Sequence, residues 1–548
     1  MRKSRSFFLF ILLFVTGLLL FSGHLIKSAR ASENPYATIS GLKVHCTSVI
    51  VGKNASADGS VLLGHNEDWG NYLKPLCWNA GERHKSGEFF RLKDGQTIPE
   101  VEETFAFIWP AAECNGINER QVAIVDNTGS CRKEFHQTER GIDLEEFVTL
   151  ALQRSRSARE AVQTMGGLIE KYGYRSYNGE DGDIFSIADP SEGWWMEVVI
   201  GGLWVAQRVP DDQFVVLANR FRIGQVDLKD NTRFLGSSNL IDYAVKRGWY
   251  NPAGKPFDFN EVYGTSEDGR APYNTRREWR GNCLLAGTRF KEEANPLTVV
   301  PQKKLTSRDL MALFRDHYEG TEYDLSQKYE KGSPHHTSGR TICVMSTDAS
   351  SVAELRSWLP HEIGGVLWLS AGTPCSSVYV PYYLGVLEFP KPYSFITADF
   401  DRENAFWSFN SLENLVDRYY GEKKKIGEVK GRAFGSPLAR GLYPRASTAE
   451  VNPRVKPGAP AAVNPRVKPG APAAVEVSAI DYVAGIWKNF EDEEFGMRGS
   501  VETTALDLYK KDKTLARSFL SSYSNALGLK AYNLAVKLGD QLRTSYYR

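Results

Sequence analysis

From Cys46 onward the chain alternates short apolar runs with polar loops, at spacings that suit strands more than helices. The first pair is the clearest. CTSVIVG (Cys46–Gly52) and SVLLGH (Ser60–His65) flank the polar loop KNASADG, where Asp58-Gly59 favours a turn. Further strands are expected within Thr104–Pro110, Gln121–Asn127, Gly193–Val209, Gln213–Asn219, Thr341–Thr347 and Gly364–Gly372. Helical periodicity runs through Ile142–Tyr172, with an interruption expected at Gly166-Gly167, and through Ser307–His317 and Glu413–Tyr420. Strands set between helical blocks fit a layered α+β architecture.

Two segments depart from this pattern. The apolar run Phe7–Phe21 follows Arg2, Lys3 and Arg5 and precedes Ala29-Arg30-Ala31. This reads as a secretory signal over residues 1–31, and hence as an exported protein, periplasmic or extracellular. The competing reading is an uncleaved membrane anchor, since about 17–25 apolar residues span a bilayer. Near the other end, VNPRVKPGAPAA occurs twice in tandem, at Val451–Ala462 and Val463–Ala474. Its prolines exclude helix and sheet pairing, so residues 441–478 are expected to form an extended linker. A helical segment, 479–548, follows and is expected to pack on the core, with an amphipathic pattern over Thr503–Arg548.

Charge narrows the partners. Lys+Arg total 67 against Asp+Glu 66, a net +1, which gives no basic surplus for nucleic acid. Seven cysteines contain no CxxC pair, so zinc-ribbon spacing is absent. In an exported chain an odd count leaves one thiol over. If that is Cys46, the other six could form up to three bridges; several buried free thiols are the other reading.

The hairpin places chemistry at Cys46. Pairing Gly52 with Ser60 sets Cys46 opposite Asn66, so His65-Asn66-Glu67-Asp68 returns to the start of the cysteine's strand. A thiol nucleophile needs a base. His45 and His65 are the local histidines. The α-amine of Cys46 itself, freed by cutting after His45, is another base, with a reference pKa near 8. A half-buried strand cysteine with no chemistry is the alternative reading of these residues alone.

CTSVIVGKNASADGS…GHNEDW resembles the start of the mature chain in the cysteine dipeptidases of the dipeptidase A type, secernin-related members of the N-terminal-nucleophile (Ntn) hydrolases. The likeness continues through NGINERQVAIVDN, LANRFRIG, PYNTRREWR, RDHYEGTEYD, WLSAGTPCSSVYVPYYLGV and AFWSFN, covering about Cys46 to Tyr420. It implies an αββα four-layer sandwich over 46–440, a propeptide over 32–45, self-cleavage between His45 and Cys46, and hydrolysis of short peptides by the Cys46 thiol. Asp68 would hold the freed amine, Asn219 and Asn127 would stabilise the oxyanion, and Arg276 or Arg277 would complete the site. His65 and Asn66 are further substrate-binding candidates. His65 replaces the Arg or Lys of many relatives, which leaves its role open. RDHYEGTEYD, His317 included, is expected to be structural. No cofactor or metal is implied. The expected partners are small peptide substrates, and a homo-oligomer is compatible with the chain. A membrane enters only through an uncleaved anchor. The competing functions are an Ntn amidase for N-acyl compounds of the penicillin or bile-salt type, and a non-catalytic secernin-like protein.

Overall fold

A computed structural model describes residues 45–546 except 70–74, 111–114, 133, 135–139, 177–180, 265, 327–331, 338, 396, 398 and 426–475. The expected signal (1–31), nearly all of the propeptide, Cys114 and the tandem repeat therefore lie outside the described residues.

Two antiparallel sheets dominate the described residues, one of seven strands and one of eight. In the first, strand Thr47–Val51 lies between Phe214–Leu217 and Val61–Glu67, and Ala349–Leu355 follows on the far side of Val61–Glu67. In the second, Ala123–Gly129 pairs with Gly182–Ala188, which pairs in turn with Gly193–Val199. Period two then divides the side chains. Ile50 and Leu63 of the first sheet meet Ile184, Trp195 and Val205 of the second in one core. Val49, Val51 and Leu62, on the opposite face, pack against Leu310 and Phe314 of helix Ser307–Phe314 and against Leu520 of the long C-terminal helix Lys513–Tyr546. The outer face of the second sheet is covered by helices Leu144–Arg154 and Ala158–Tyr172. This is the expected helix–sheet–sheet–helix sandwich.

Several boundaries differ from expectation, each for a local reason. Gly193–Val209 is two strands, because Gly201 and Gly202 adopt φ of 89° and 95° and reverse the chain. Thr341–Thr347 is not a strand; the strand starts two residues later and runs over Ala349–Leu355. The predicted helix at Glu413–Tyr420 begins earlier, at Ala405, where Asn404 accepts from the Trp407 amide. Ile142–Tyr172 breaks at Ser155–Ser157, where Ser157 caps the second helix through the Glu160 amide. The helix runs straight through Gly166-Gly167. Helix Ala479–Lys511 and its successor pair along their lengths and close over the first sheet and helix Ala405–Arg418.

The two adjacent glycines make a matched test. A Cβ on Gly166 would stand 2.1 Å from the Trp204 ring, whereas nothing lies within 4 Å of one on Gly167. Gly166→Ala should lower thermal stability by about 1–3 kcal/mol through overpacking. Gly167→Ala should raise it by up to about 1 kcal/mol through helix propensity. Thermal denaturation of the two variants checks both signs.

Candidate active site

The hairpin's observed register pairs Thr47 with Asn66 and Ser48 with His65, one residue from the predicted pairing. The loop accounts for the difference. Gly52 O accepts from the Ala55 amide (2.8 Å), and Asn54 N donates to Asp211 O (2.7 Å), so the turn consumes the chain asymmetrically. A one-residue change exchanges faces. Cys46 therefore shares the inter-sheet face with Ser48, His65 and Glu67, while Asn66 points to the outer layer. There the Asn66 amide donates to the carbonyls of Phe314 (3.1 Å) and Ile342 (3.2 Å), a structural tie in place of the expected substrate contact.

On the inner face the groups form a buried hydrogen-bonded cluster. The Cys46 thiol donates to Glu67 Oε1 at 3.5 Å. Glu67 Oε2 accepts from Asn115 at 2.6 Å and pairs with His65 Nε2 at 3.2 Å, and His65 Nδ1 lies 3.4 Å from Ser48 Oγ. Asn127, reaching across from the second sheet, accepts from the Ser48 hydroxyl and donates to the carbonyls of Leu217 (3.3 Å) and Ala218 (3.4 Å). Burial alone would raise the Glu67 carboxyl, but hydrogen bonds from His65, Asn115 and Cys46 hold it below its ordinary value. Burial pushes the Cys46 thiol well up, reinforced by the negative charges of Glu67 and Asp68. Beside an intact His45–Cys46 bond the sulfur is thus a protonated thiol next to a carboxylate. The donor atoms of Cys46, His65 and Glu67 lie within 4.8 Å of one another, a spacing that could hold a cation and that here serves hydrogen bonds.

The peptide around Cys46 is held from the other side. Helix Pro272–Ala286 starts on a proline and buries Asn274, Arg277, Glu278 and Gly281. Gly281 lets it approach closely, since a Cβ there would fall 2.8 Å from Val216. From this helix, fully buried Arg277 donates to the Cys46 carbonyl, to Thr47 Oγ1 (3.1 Å), to Asn219 Oδ1 (2.9 Å) and to Asn274 Oδ1 (2.8 Å). Burial and the neighbouring Arg340 depress its pKa to about 10. Arg340 donates to the His45 carbonyl and to Asp68 Oδ2, and Asp68 Oδ1 accepts from Thr347 at 2.5 Å. Burial raises the Asp68 carboxyl against the opposing pull of Arg340 and Thr347. Asn219 acts as acceptor for Arg277 and donates to Thr128 O at 2.9 Å.

The structure therefore brings Cys46, His65, Asp68, Asn127, Asn219 and Arg277 around one strand end and turns Asn66 away. Of the two candidate arginines, Arg277 reaches the cysteine. Arg276 lies over the Tyr323 ring at 3.8 Å and lines a cavity of about 300 Å³ with Tyr318 and Arg340. A larger opening of about 450 Å³, between Trp78, Glu119 and Arg517, shares no lining residue with the Cys46 cluster. Arg340, Thr347, Asn115 and Asn274 are contacts that the sequence reading missed. Arg340 precedes and Thr347 ends the run Thr341–Thr347, whose pattern pointed to a strand and not to chemistry; Asn115 and Asn274 lay inside quoted motifs but carried no spacing that marks chemistry.

Comparison with known proteins decides the family. The model of peptidase family C69 matches residues 101–430, which include Asn115, Asn127, Asn219, Arg277 and Arg340. The chain belongs to this family of cysteine dipeptidases. A probable dipeptidase of Latilactobacillus sakei is 28% identical over 405 residues, covering 69% of this chain and 82% of that protein. Dipeptidase A of Lactobacillus helveticus is 27% identical over 418 residues, covering 71% and 86%. Among solved structures, penicillin V acylase from Agrobacterium tumefaciens aligns at 12% identity over 62% of this chain and 86% of its own, with a TM-score of 0.29. A conjugated bile acid hydrolase from Clostridium perfringens aligns at 14% identity over 60% and 89%, with a TM-score of 0.22.

The two adjacent arginines of this peptidase predict different kinetic signatures. Arg277→Lys should lower kcat for peptide hydrolysis about a hundredfold, the scale of a lost oxyanion-type donor. Arg276→Lys should change KM and leave kcat near the parent value, because that side chain faces the cavity and not the cysteine. Steady-state kinetics on folded variants, checked by circular dichroism, separates the two.

Proposed function

We propose that the protein is an exported dipeptidase that cleaves its own chain between His45 and Cys46 and then uses the freed N-terminal cysteine to hydrolyse short peptides. The observation that carries this reading is the clamped His45–Cys46 peptide. Arg340 holds its carbonyl oxygen, Arg277 holds the next one, and the thiol that would attack it is bonded to an ionised carboxylate. Export rests on the N-terminal apolar run and its Ala-x-Ala site. Among the described residues no helix is long and apolar enough to cross a membrane.

In the precursor, Glu67 takes the thiol proton and Cys46 Sγ attacks the His45 carbonyl carbon, while Arg340 stabilises the developing oxyanion. The C–N bond breaks, the proton passes to the Cys46 nitrogen, and a thioester joins His45 to the sulfur. Water hydrolyses that ester, giving a carboxylate on His45 and a free amine and thiol on Cys46. The amine then serves as the base for substrate. It accepts the thiol proton, delivers it to the leaving amine of the scissile bond, and activates water against the acyl-enzyme. Asp68, already tied to Arg340 and Thr347, is the carboxylate that orients this amine. Asn219 sets the angle of Arg277, and Asn127, whose amide nitrogen donates at long range to the Leu217 and Ala218 carbonyls, is the second candidate for oxyanion support.

In this reading His45 stands where a substrate residue would sit. His45 stacks on Tyr273 with ring centroids 4.6 Å apart, so its departure would open that face to a substrate side chain. Arg340 would then face the cavity shared with Arg276 and Tyr318, whose volume of about 300 Å³ suits a ligand as small as a dipeptide. Arg276 and Arg340 at its wall suit a free carboxylate, and Glu322 and Asp324 on the same wall suit a free amine.

Intact-mass and N-terminal analysis of the active protein should find a chain that begins at Cys46. Cys46→Ala should remain uncleaved and should lose hydrolysis of dipeptides by more than about a thousandfold. A panel of dipeptides against N-acyl amides should favour the dipeptides. An active protein with His45 still attached, or an active Cys46→Ala, would overturn the mechanism.

A further inference from the structure

Some distance along the chain from the cysteine, His317, His335, Cys343 and Cys375 converge with one donor atom each, all four within 4.8 Å of one another. They come from four separate segments: the turn after helix Ser307–Phe314, the short turn Pro334–His336, the run before strand Ala349–Leu355, and the turn after strand Val366–Ala371. His317 Nε2 and His335 Nε2 are 3.0 Å apart, and Cys343 Sγ and Cys375 Sγ each lie 3.7 Å from His335 Nε2. The far nitrogen of each ring is already committed. His317 Nδ1 bonds Glu319 Oε1 at 2.9 Å, and His335 Nδ1 bonds Asp417 Oδ1 at 2.9 Å. Both imidazole side chains are almost completely removed from solvent, at 2% and 0% exposure.

We infer that these four side chains form a closed, structural Zn²⁺ site. Zn–N bonds of about 2.0–2.1 Å and Zn–S bonds of about 2.3 Å at tetrahedral angles place donors about 3.3–3.8 Å apart; the two N···S separations of 3.7 Å fall within that range, and the N···N separation of 3.0 Å lies just below it. Two thiolates and two imidazoles are the donor set that selects zinc among available divalent metals. Two thiolates also cancel the charge of the ion, which a buried site requires. Glu319 and Asp417 supply the carboxylate–histidine partners that orient metal-bound imidazoles. With both Nδ1 atoms taken by those carboxylates, the two Nε2 atoms are left 3.0 Å apart to share one cation. Four protein ligands leave no open position, so the ion has no part in peptide hydrolysis.

The consequence is a staple beside the candidate active site. Cys343 is three residues from Arg340, and the intervening Thr341 hydroxyl donates to the Cys343 carbonyl at 2.5 Å. His317 precedes Tyr318, a wall of the cavity. The ion would tie both segments to the turn at Cys375 and, through Asp417, to helix Ala405–Arg418. It also gives the RDHYEGTEYD motif a physical task.

Elemental analysis of the purified full-length protein tests the site without reference to activity. About one zinc per chain is expected. Replacement by Co²⁺ should produce tetrahedral d–d bands with thiolate charge transfer. Cys375→Ser and His335→Gln should each bring zinc below about a tenth of an equivalent, whereas Cys46→Ala should keep it whether or not the dipeptidase mechanism is right. Should either ligand variant fail to fold, the metal content and cobalt spectrum of the parent protein decide. A Cys343–Cys375 disulfide, or a protein that binds neither Zn²⁺ nor Co²⁺ with its thiols reduced, would overturn the proposal.

Discussion

Two guanidinium groups converge on the two consecutive peptide bonds that flank Cys46, and that arrangement governs everything around it. Arg277 and Arg340 come from different elements, yet they hold consecutive carbonyls, those of Cys46 and His45. Burial lowers the proton affinity of Arg277, and the like charge of Arg340 lowers it further. Asp68 offsets the repulsion by taking Arg340 on one oxygen and Thr347 on the other. Removing one partner from such a group leaves an uncompensated buried charge, at a cost of about 3–5 kcal/mol. The geometry of the His45–Cys46 bond and the stability of the strand end are therefore coupled.

The same constraint explains the layering around the site. Helix Pro272–Ala286 must lie close against strand Phe214–Leu217 for Arg277 to reach Cys46, and Gly281 opposite Val216 permits that approach. Its next residue, Glu278, is buried and takes Arg220 and Arg222, the two arginines that follow Asn219 and flank Phe221. Asn219 is thus gripped twice, through Arg277 on its side chain and through Asn274 on its backbone amide at 3.1 Å. The inner face answers with a different chemistry: Glu67, kept ionised by three donors, lies beside a thiol that burial keeps protonated. One strand end thus presents a cationic clamp on its outer side and an anionic acceptor on its inner side.

Much of this was legible in the residues. Asp58-Gly59 between two apolar runs announced the hairpin, and the motif order announced the sandwich. The helix Ala158–Tyr172 shows where local rules mislead: Gly166-Gly167 looked like a break, but Trp204 packs against the space that a side chain at Gly166 would fill. The strand Ala349–Leu355 escaped notice because ASSVAEL is half polar. It pairs on both edges and is buried throughout, so its serines and glutamate are accommodated by partners that lie far off in sequence. The apolar run TICVMST drew the assignment instead, although its backbone forms the loop that carries Cys343.

By itself the sequence determined most of the elements, which follow from period and turn residues, and the resemblance around Cys46 carried their layering and the choice of Cys46 as the candidate nucleophile. Tertiary structure alone decided which carboxylate faces the thiol, which of two adjacent arginines reaches it, and that Arg340 joins them. The first depended on a single residue of register, set by how the Gly52–Ser60 loop bonds to itself and to Asp211. The second depended on the rotation of a helix about its axis, which side-chain packing against Val216 sets. The contacts of Arg277 and Arg340 join positions more than two hundred residues apart, and no local pattern encodes the distance between them.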